Sequence, residues 1–511
     1  MMAAEKEYSL QAEAVEIAQR PPAESKQEFE YLVATEVDLV ELTEEEKKRV
    51  VRKLDWIFIP QITWLYILSY LDRGNIGNAK IAGMATDLNL HGSQYNVALM
   101  VFFICYGLFE VPSNIVLKLV RPSMWISSLM IAWEVITTLT CLVKSYEGLV
   151  TVRFLLGISE AGFWPGVVFL LTLWYTRYEV QKRMAIVFCG ASLAGAFSGL
   201  LAYAIVKMDG IAGLAGWRWI YLLEGIITVI SAVVILFTLP DSPQHSRFLT
   251  EREKKFCISR LQIETGSGQG RVTNEDRISV KYVMAALKEW KIWMGVVAVW
   301  GNSVTVYGFT YTVPSVINQL GYSASNAQLM TVPIYIFCML GTLGMAIASD
   351  RVKQRSPFVI GGFLSGSLGF IALLAIPHPK YPGVTYGFLF LAAFGIYAPI
   401  VPLVRWFANN LAPSSKRAVG TATILTMAAL FGGFAGSNMF PDYTAPHYYP
   451  GYSVSFAIML IASLAAYILR RSYDKLNRER DLMTEEEIRT KYSEGELLAM
   501  GDESPFFRYT L

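Results

Sequence analysis

The sequence predicts an all-α integral membrane protein with twelve transmembrane helices in two six-helix bundles. Three observations lead there. Apolar residues make up 53% of the 511 and charged residues 17%, with a mean hydropathy of +0.38, whereas a soluble domain carries roughly 25% charged residues. Apolar runs begin near Trp56, Tyr95, Met124, Gly148, Met184 and Trp219, and again near Ile292, Ala327, Pro357, Gly383, Ala418 and Tyr452. Crossing a ~30 Å hydrocarbon core takes roughly 20 apolar residues in a helix, which these runs supply. With both termini on the cytoplasmic side, inner loops and flanks hold 31 Lys and Arg, and outer loops hold five: Lys80, Lys144, Lys207, Arg218 and Lys380. That alternation is the positive-inside pattern, and a wrong helix count destroys it.

In chain order, residues 1–55 form a polar tail without the features of a signal or transit peptide. Thr43-x-x-Glu46 is a capping box opening a helix toward the first span, and Thr250-x-x-Glu253 opens another in the central loop. Residues 56–240 form the first bundle, 241–291 the cytoplasmic loop, 292–471 the second bundle and 472–511 the C-terminal tail. Gly266–Gly270 reads as a linker, since it lacks the Lys-Ser/Thr of a phosphate loop. Roughly the first forty and last thirty residues are expected to be flexible. Prolines 60, 112, 165, 314, 333, 399 and 402 fall inside spans and predict kinks. Gly195-x-x-x-Gly199 is a close-packing signal. The five cysteines are scattered without metal spacing and read as small buried hydrophobes.

Several function classes drop out. No Walker motif, His-Glu-x-x-His or Gly-x-Ser-x-Gly occurs, and none of the four histidines lies in a predicted span. The net charge of +2 implies no nucleic-acid partner. An enzyme, a cofactor or a resident metal is not expected. A channel lacks a recognisable filter, which leaves transport driven by an ion gradient.

Charges inside the spans carry the functional reading, because one at the bilayer centre costs at least ~2.5 kcal/mol and so faces a cavity or a partner. The run Trp56–Leu71 is too short to cross alone, so Asp72, Arg73 and Asn75 are expected within the membrane, turned to a water-filled pathway. In the fourth span Arg153, Gly157 and Glu160 stack on one face. The glycine leaves room for Arg153 to lie down toward Glu160 or a carboxylate on a neighbouring helix. A carboxylate there is poised between desolvation and the arginine, as proton coupling requires; a buried pair that only fixes helix register is the alternative. Glu110 is expected to make a gate contact with a basic loop residue, and Glu134 and Glu224 read as structural. The second half offers Asn302, Tyr307, Tyr311, Tyr335 and Tyr397 as an aromatic cavity wall.

The stretches RKLDW (52–56), LDRGNIGNAK (71–80), FEVPSNIVLK (109–118), RFLLGISEAGFWPG (153–166), GWRWIYLLEG (216–225) and ASDRVKQR (348–355) resemble the anion:cation symporter family of the major facilitator superfamily, in its fungal allantoate-permease branch. The match runs from about Arg52 to Arg471. The resemblance implies that Arg73 clamps a substrate carboxylate, that Asp72 and Glu160 exchange protons, and that Arg153 orients them. It implies a gate latch of Asp350, Arg351 and Arg355; Lys118 departs from the matching signature in the first half. Family members that bind dianions carry an arginine in the seventh span. WMGVVAVWGNSVTVYGFTYTVP has none, which favours a monoanion. Nicotinic acid permeases are the most similar in overall look; allantoate, pantothenate, biotin and other monocarboxylates stay open.

The expectation is proton-driven uptake of a small organic monoanion across the plasma membrane by a monomer. Asn302, Tyr307 and Tyr397 join Arg73 in the substrate site. The rival is a drug or secondary-metabolite antiporter on the same fold, but the fifth span RMAIVFCGASLAGAFSGLLAYAI shows no obvious antiporter signature. A non-transporting nutrient sensor is a third reading, and it would call for a longer tail.

Overall fold

A computed structural model describes residues 42–265, Met284 and 288–511, apart from 413, 494, 495, 498 and 499. The expected flexibility of the first forty residues and the linker at 266–270 therefore fall outside the described residues, as does the side chain of Lys118.

The described residues are helical, with no strand among them. In order, the helices are α1 (Glu44–Ala79), α2 (Gln94–Leu119), α3 (Pro122–Leu139), α4 (Tyr146–Glu160), α5 (Phe163–Thr172), α6 (Arg177–Ile205), α7 (Gly216–Thr238), α8 (Glu251–Thr265), α9 (Trp290–Gln319), α10 (Ala324–Val352), α11 (Ser356–Ala375), α12 (Pro382–Tyr397), α13 (Ile400–Asn409), α14 (Ser414–Ser437), α15 (Tyr449–Asp481) and α16 (Glu485–Lys491). The pairs α4–α5 and α12–α13 are each one rod with a break, so twelve rods occupy the positions of the predicted spans. Nine of these are long and apolar enough to cross a membrane by length and composition alone. The rods of α1, α2 and α6 fall short of that measure. In α1 the cause is plain: acidic and basic residues crowd its first turns, and Asp72 and Arg73 interrupt its apolar run.

Contacts divide the chain into two units. Among the described residues the smaller comprises 42–57, Phe169–Val180 and 240–265. Its helices open as the capping boxes predict: Thr43 N–H donates to Glu46 at 2.9 Å and Thr250 N–H to Glu253 at 2.8 Å. Lys53 bonds Glu253, Arg260 bonds Glu179 and the Trp174 carbonyl, and Trp174 stacks on Phe248.

The larger unit holds the spanning rods. α9 packs on α14 and α15, α11 on α12 and α15, α3 on α7 and α4, and α2 on α4; α2 also meets α14 across the two halves. Outward faces stay apolar. On α7, Ile226, Ile230, Val233, Val234 and Phe237 are all exposed at helical spacing, a stripe suited to lipid.

Pro60, Pro112, Pro314 and Pro333 sit inside continuous helices. The breaks fall at Ala161–Gly162, just before Pro165, and at Ala398–Pro399. Gly195 and Gly199 bring α6 against α10: a Cβ on Gly195 would lie 2.6 Å from the Tyr335 ring, and one on Gly199 2.6 Å from the Gln328 carbonyl.

The C-terminal tail corrects the sequence expectation. Instead of hanging free, residues 501–511 dock on the ends of α9, α13, α14 and α15. Asp502 is wholly buried and bonds Lys416 at 2.8 Å; Tyr509 stacks on Tyr473 at 4.5 Å; Thr510 pairs with Asn410; and the Leu511 carbonyl accepts from the Arg355 N–H at 2.7 Å. The buried acid and its lysine partners, far apart in sequence, give no local signal for this.

Candidate functional site

α1 runs unbroken for 36 residues. It carries Ser69, Asp72, Arg73, Asn75 and Asn78 into the middle of the larger unit, where the short apolar run placed the polar end. Ser69 and Arg73 are one turn apart and share a face. Arg73 donates to Glu160 Oε1 from Nε at 2.8 Å and from Nη2 at 2.6 Å, and Ser69 Oγ donates to the same oxygen at 2.9 Å. The third guanidinium nitrogen, Nη1, donates to the Tyr307 hydroxyl at 3.2 Å. The rings of Tyr70, Phe102 and Tyr106 lie 5.3–6.0 Å from its carbon, within cation–π reach. This delocalised cation is therefore solvated by one carboxylate, one hydroxyl and three aromatic faces.

That arrangement revises the partner expected for Glu160. Arg153 does not orient it; Arg153 Nη2 reaches the Tyr221 hydroxyl at 3.5 Å, and its Nε has no partner. Gly157 does not serve Arg153 either. A Cβ there would strike the Phe102 carbonyl and Cys105, so the glycine exists to let α2 and α4 touch. The spacing placed Arg153 and Glu160 on one face correctly but could not reveal which neighbour each would meet.

Asp72, turned aside from Arg73 on α1, accepts from the Trp133 indole N–H at 3.2 Å; the same N–H also donates to Glu134. Asn75 Nδ2 donates to Glu224 at 2.7 Å, and Asn78 Nδ2 to Ser198 at 2.7 Å. Trp133, Ser69, Tyr221 and Ser198 are site residues that sequence reasoning missed. Each looks like ordinary span composition, and only the fold assigns it a partner.

Beside Arg73, at Gly74, opens a small cavity lined by Tyr70, Asn78, Ser198, Thr310, Tyr335 and Tyr397, with small residues of α1 and α6. The wall is neutral, with hydroxyls, one amide and aromatic faces. Tyr397 bonds Thr310 at 2.9 Å and meets Tyr335 edge to face. Tyr307 and Tyr311 stack on each other beside Arg73. Asn302 is elsewhere: its Nδ2 donates to the Ile396 carbonyl at 2.6 Å, so it ties α9 to α12 rather than facing the cavity.

The gate residues also separate. Glu110 accepts from the Thr426 hydroxyl at 3.3 Å on α14, in place of the basic loop residue expected. Asp350 pairs with Arg355 at 3.5 Å and with Arg405, which links α10, α11 and α13 within the second half; Arg351 is exposed at the end of α10.

A family model described as Major Facilitator Superfamily matches residues 62–437. The chain belongs to that superfamily. Relatives within it include an MFS-type transporter, cnsO, of Penicillium expansum, 38% identical over 475 residues and 91% of each chain. Another is a high-affinity nicotinic acid transporter of Saccharomyces cerevisiae, 32% identical over 470 residues, 91% of this chain and 85% of the relative. Among solved structures, a bacterial homologue of the human lysosomal transporter Spinster superposes with a TM-score of 0.65 at 16% identity, covering 82% of this chain and 97% of that one. The xylose transporter XylE of E. coli gives 0.58 at 17% identity, covering 80% and 97%. These similarities in fold agree with the all-helical architecture. The chain is a multi-pass membrane transporter of the major facilitator type, and no enzymatic family is indicated.

Proposed function

We propose that this chain is a proton-coupled symporter that takes up a small organic monocarboxylate, with nicotinate the foremost candidate. The observation that carries the reading is the occupation of the Arg73 fork by Glu160. A guanidinium binds one carboxylate bidentately and stays charged throughout. Substrate carboxylate and ionised Glu160 therefore compete for one fork. A proton on Glu160 removes the competitor and frees Arg73 for the substrate, so anion and proton enter together. Once the substrate leaves and Glu160 ionises, the pair re-forms and buries no unbalanced charge.

The neutral cavity wall supports a monoanion with a flat or polar body, since none of the residues that line it is a cation. Tyr70, Tyr335 and Tyr397 supply aromatic faces, and Asn78, Ser198 and Thr310 supply hydrogen-bonding groups. The yeast nicotinic acid transporter among the relatives fits this substrate class, as does the resemblance of the chain's motifs to the allantoate-permease branch. In this reading residues 56–240 and 292–471 are the rocking halves, both tails are cytoplasmic and the membrane is the plasma membrane. Asp350, Arg351, Arg355 and Glu110 serve the inner gate, and the monomer is the working unit.

Uptake of radiolabelled nicotinate by cells expressing the chain, at external pH 5 and 7.5, tests it. Greater uptake at pH 5 that a protonophore abolishes is the expected result. Absence of uptake with the protein at the cell surface discards nicotinate, and competition by a panel of carboxylates then locates the substrate.

A further inference from the structure

Four carboxyl groups from four helices converge around α1: Asp72, Glu134 of α3, Glu160 of α4 and Glu224 of α7. Glu134 is fully buried, and Glu160 and Glu224 are 4% exposed. Two cations face them, Arg73 and Arg153. Glu160 takes Arg73 for itself, which leaves Asp72, Glu134 and Glu224 with only Arg153, which is not in direct contact with any of them. Ionising all three leaves at least two unbalanced charges in the interior. Each of these costs several kcal/mol, and a buried acid responds by taking up a proton instead.

Geometry says where one of those protons goes. A single indole N–H, that of Trp133, serves both Asp72, at 3.2 Å, and Glu134, and so brings the two carboxyl groups side by side. The other ionisable groups facing them are Glu160 on both, and Arg153 and Tyr221 on Asp72; Asp72 and Tyr221 also lie near Glu224. With both groups ionised neither can donate, and Asp72 Oδ1 and Glu134 Oε2 are left buried without a donor. A proton between the two carboxyls removes one charge and supplies the missing donor.

We infer that Glu134 is a coupling residue that shares one proton with Asp72 beneath the Trp133 indole, so that the Asp72–Glu134 pair, not Asp72 alone, is the second proton site of the transporter. The inference rests on the proton-symport reading for its role in transport, but the proton itself is measurable without a substrate. Like charges this close do not ionise together, so the pair titrates as a unit. It holds one proton and one negative charge, and Arg153 is the cation that faces that charge. Glu134 was read from the sequence as structural because a lone acid in an apolar run carries no spacing signal.

The test is infrared spectroscopy of the full chain in liposomes near neutral pH, following the carbonyl stretch of protonated carboxyl groups. Glu134→Gln and Asp72→Asn keep the shape of each group, and each is expected to remove the same carboxyl-proton band. The double variant should lose no more than either single one. A band that survives Asp72→Asn, or losses that add in the double variant, overturns the shared proton. Nicotinate uptake against pH supplies the second readout. Glu134→Gln should move the profile to lower pH by about one unit, a tenfold change in proton concentration, because Asp72 then lacks the neighbouring acid that helps it keep a proton. An unmoved profile with parental protein levels makes Glu134 structural. If the parent shows the shared band but no proton-dependent uptake, the symport reading fails while the pair stands.

Discussion

Arg73 is where charge, geometry and chemistry meet, and two substitutions separate its contributions. Arg73→Lys keeps the charge but loses the fork. A charge-assisted hydrogen bond contributes about 1.5–3 kcal/mol, so uptake should fall roughly 10- to 100-fold with the protein still at the membrane, as surface labelling would check. Tyr307→Phe removes the hydroxyl that holds Nη1; the expected result is a KM raised by about tenfold with little change in maximal rate, read from concentration-dependent uptake. The sequence made Asp72, Arg73, Arg153 and Glu160 legible because charges in apolar runs are expensive and therefore conspicuous. It did not reveal that Glu160 belongs to Arg73, that Arg153 turns to Tyr221, or that Asn302 is a packing residue. Partners on other helices follow from rotations and breaks, such as the one at Ala161–Gly162, that no short window encodes.

Helix pairs set what can move. α6 and α10 approach closely only because Gly195 and Gly199 lack side chains. Gly199→Val should therefore hold the two helices apart and lower the maximal uptake rate several-fold. A cysteine placed on Gln328 should gain reactivity toward a membrane-impermeant thiol reagent in that variant. The docked tail is the other device at this scale. Asp502, Glu289, Lys291 and Lys416 form a buried cluster. Burial alone would lower the pKa of the Lys416 ammonium, but hydrogen bonding and attraction from Asp502 and Glu289 outweigh it and hold it above the ordinary lysine value. Burial opposes ionisation of Glu289 as well, yet Lys291 and Lys416 hold its carboxyl below the ordinary 4.5. A depressed acid stabilises above its unfolded pKa and loses that contribution as pH falls through the folded one. The contribution of Glu289 to thermal stability should therefore be constant with pH above about 4.5 and be lost below it, as unfolding temperatures of the purified protein against pH would show. Asp502→Ala should lower the unfolding temperature by several degrees at neutral pH, since it strands Lys416 and Lys291 beside a single acid.

For the whole molecule, the fold was readable because a bilayer allows few solutions: twelve apolar runs and one alternation of basic loops determine it. The docking of residues 501–511 escaped because it depends on contacts among α9, α13, α14 and α15 that sequence distance hides. The proposed function rests on one exchange, in which a proton on Glu160 would release Arg73 to a carboxylate. Proteoliposomes prepared at internal pH 7.5 and diluted into pH 5.5 test it most directly, with radiolabelled nicotinate outside and the parent beside Glu160→Gln. The account predicts that the parent concentrates nicotinate, whereas Glu160→Gln exchanges internal for external label without concentrating it. Accumulation by Glu160→Gln equal to that of the parent would contradict the account.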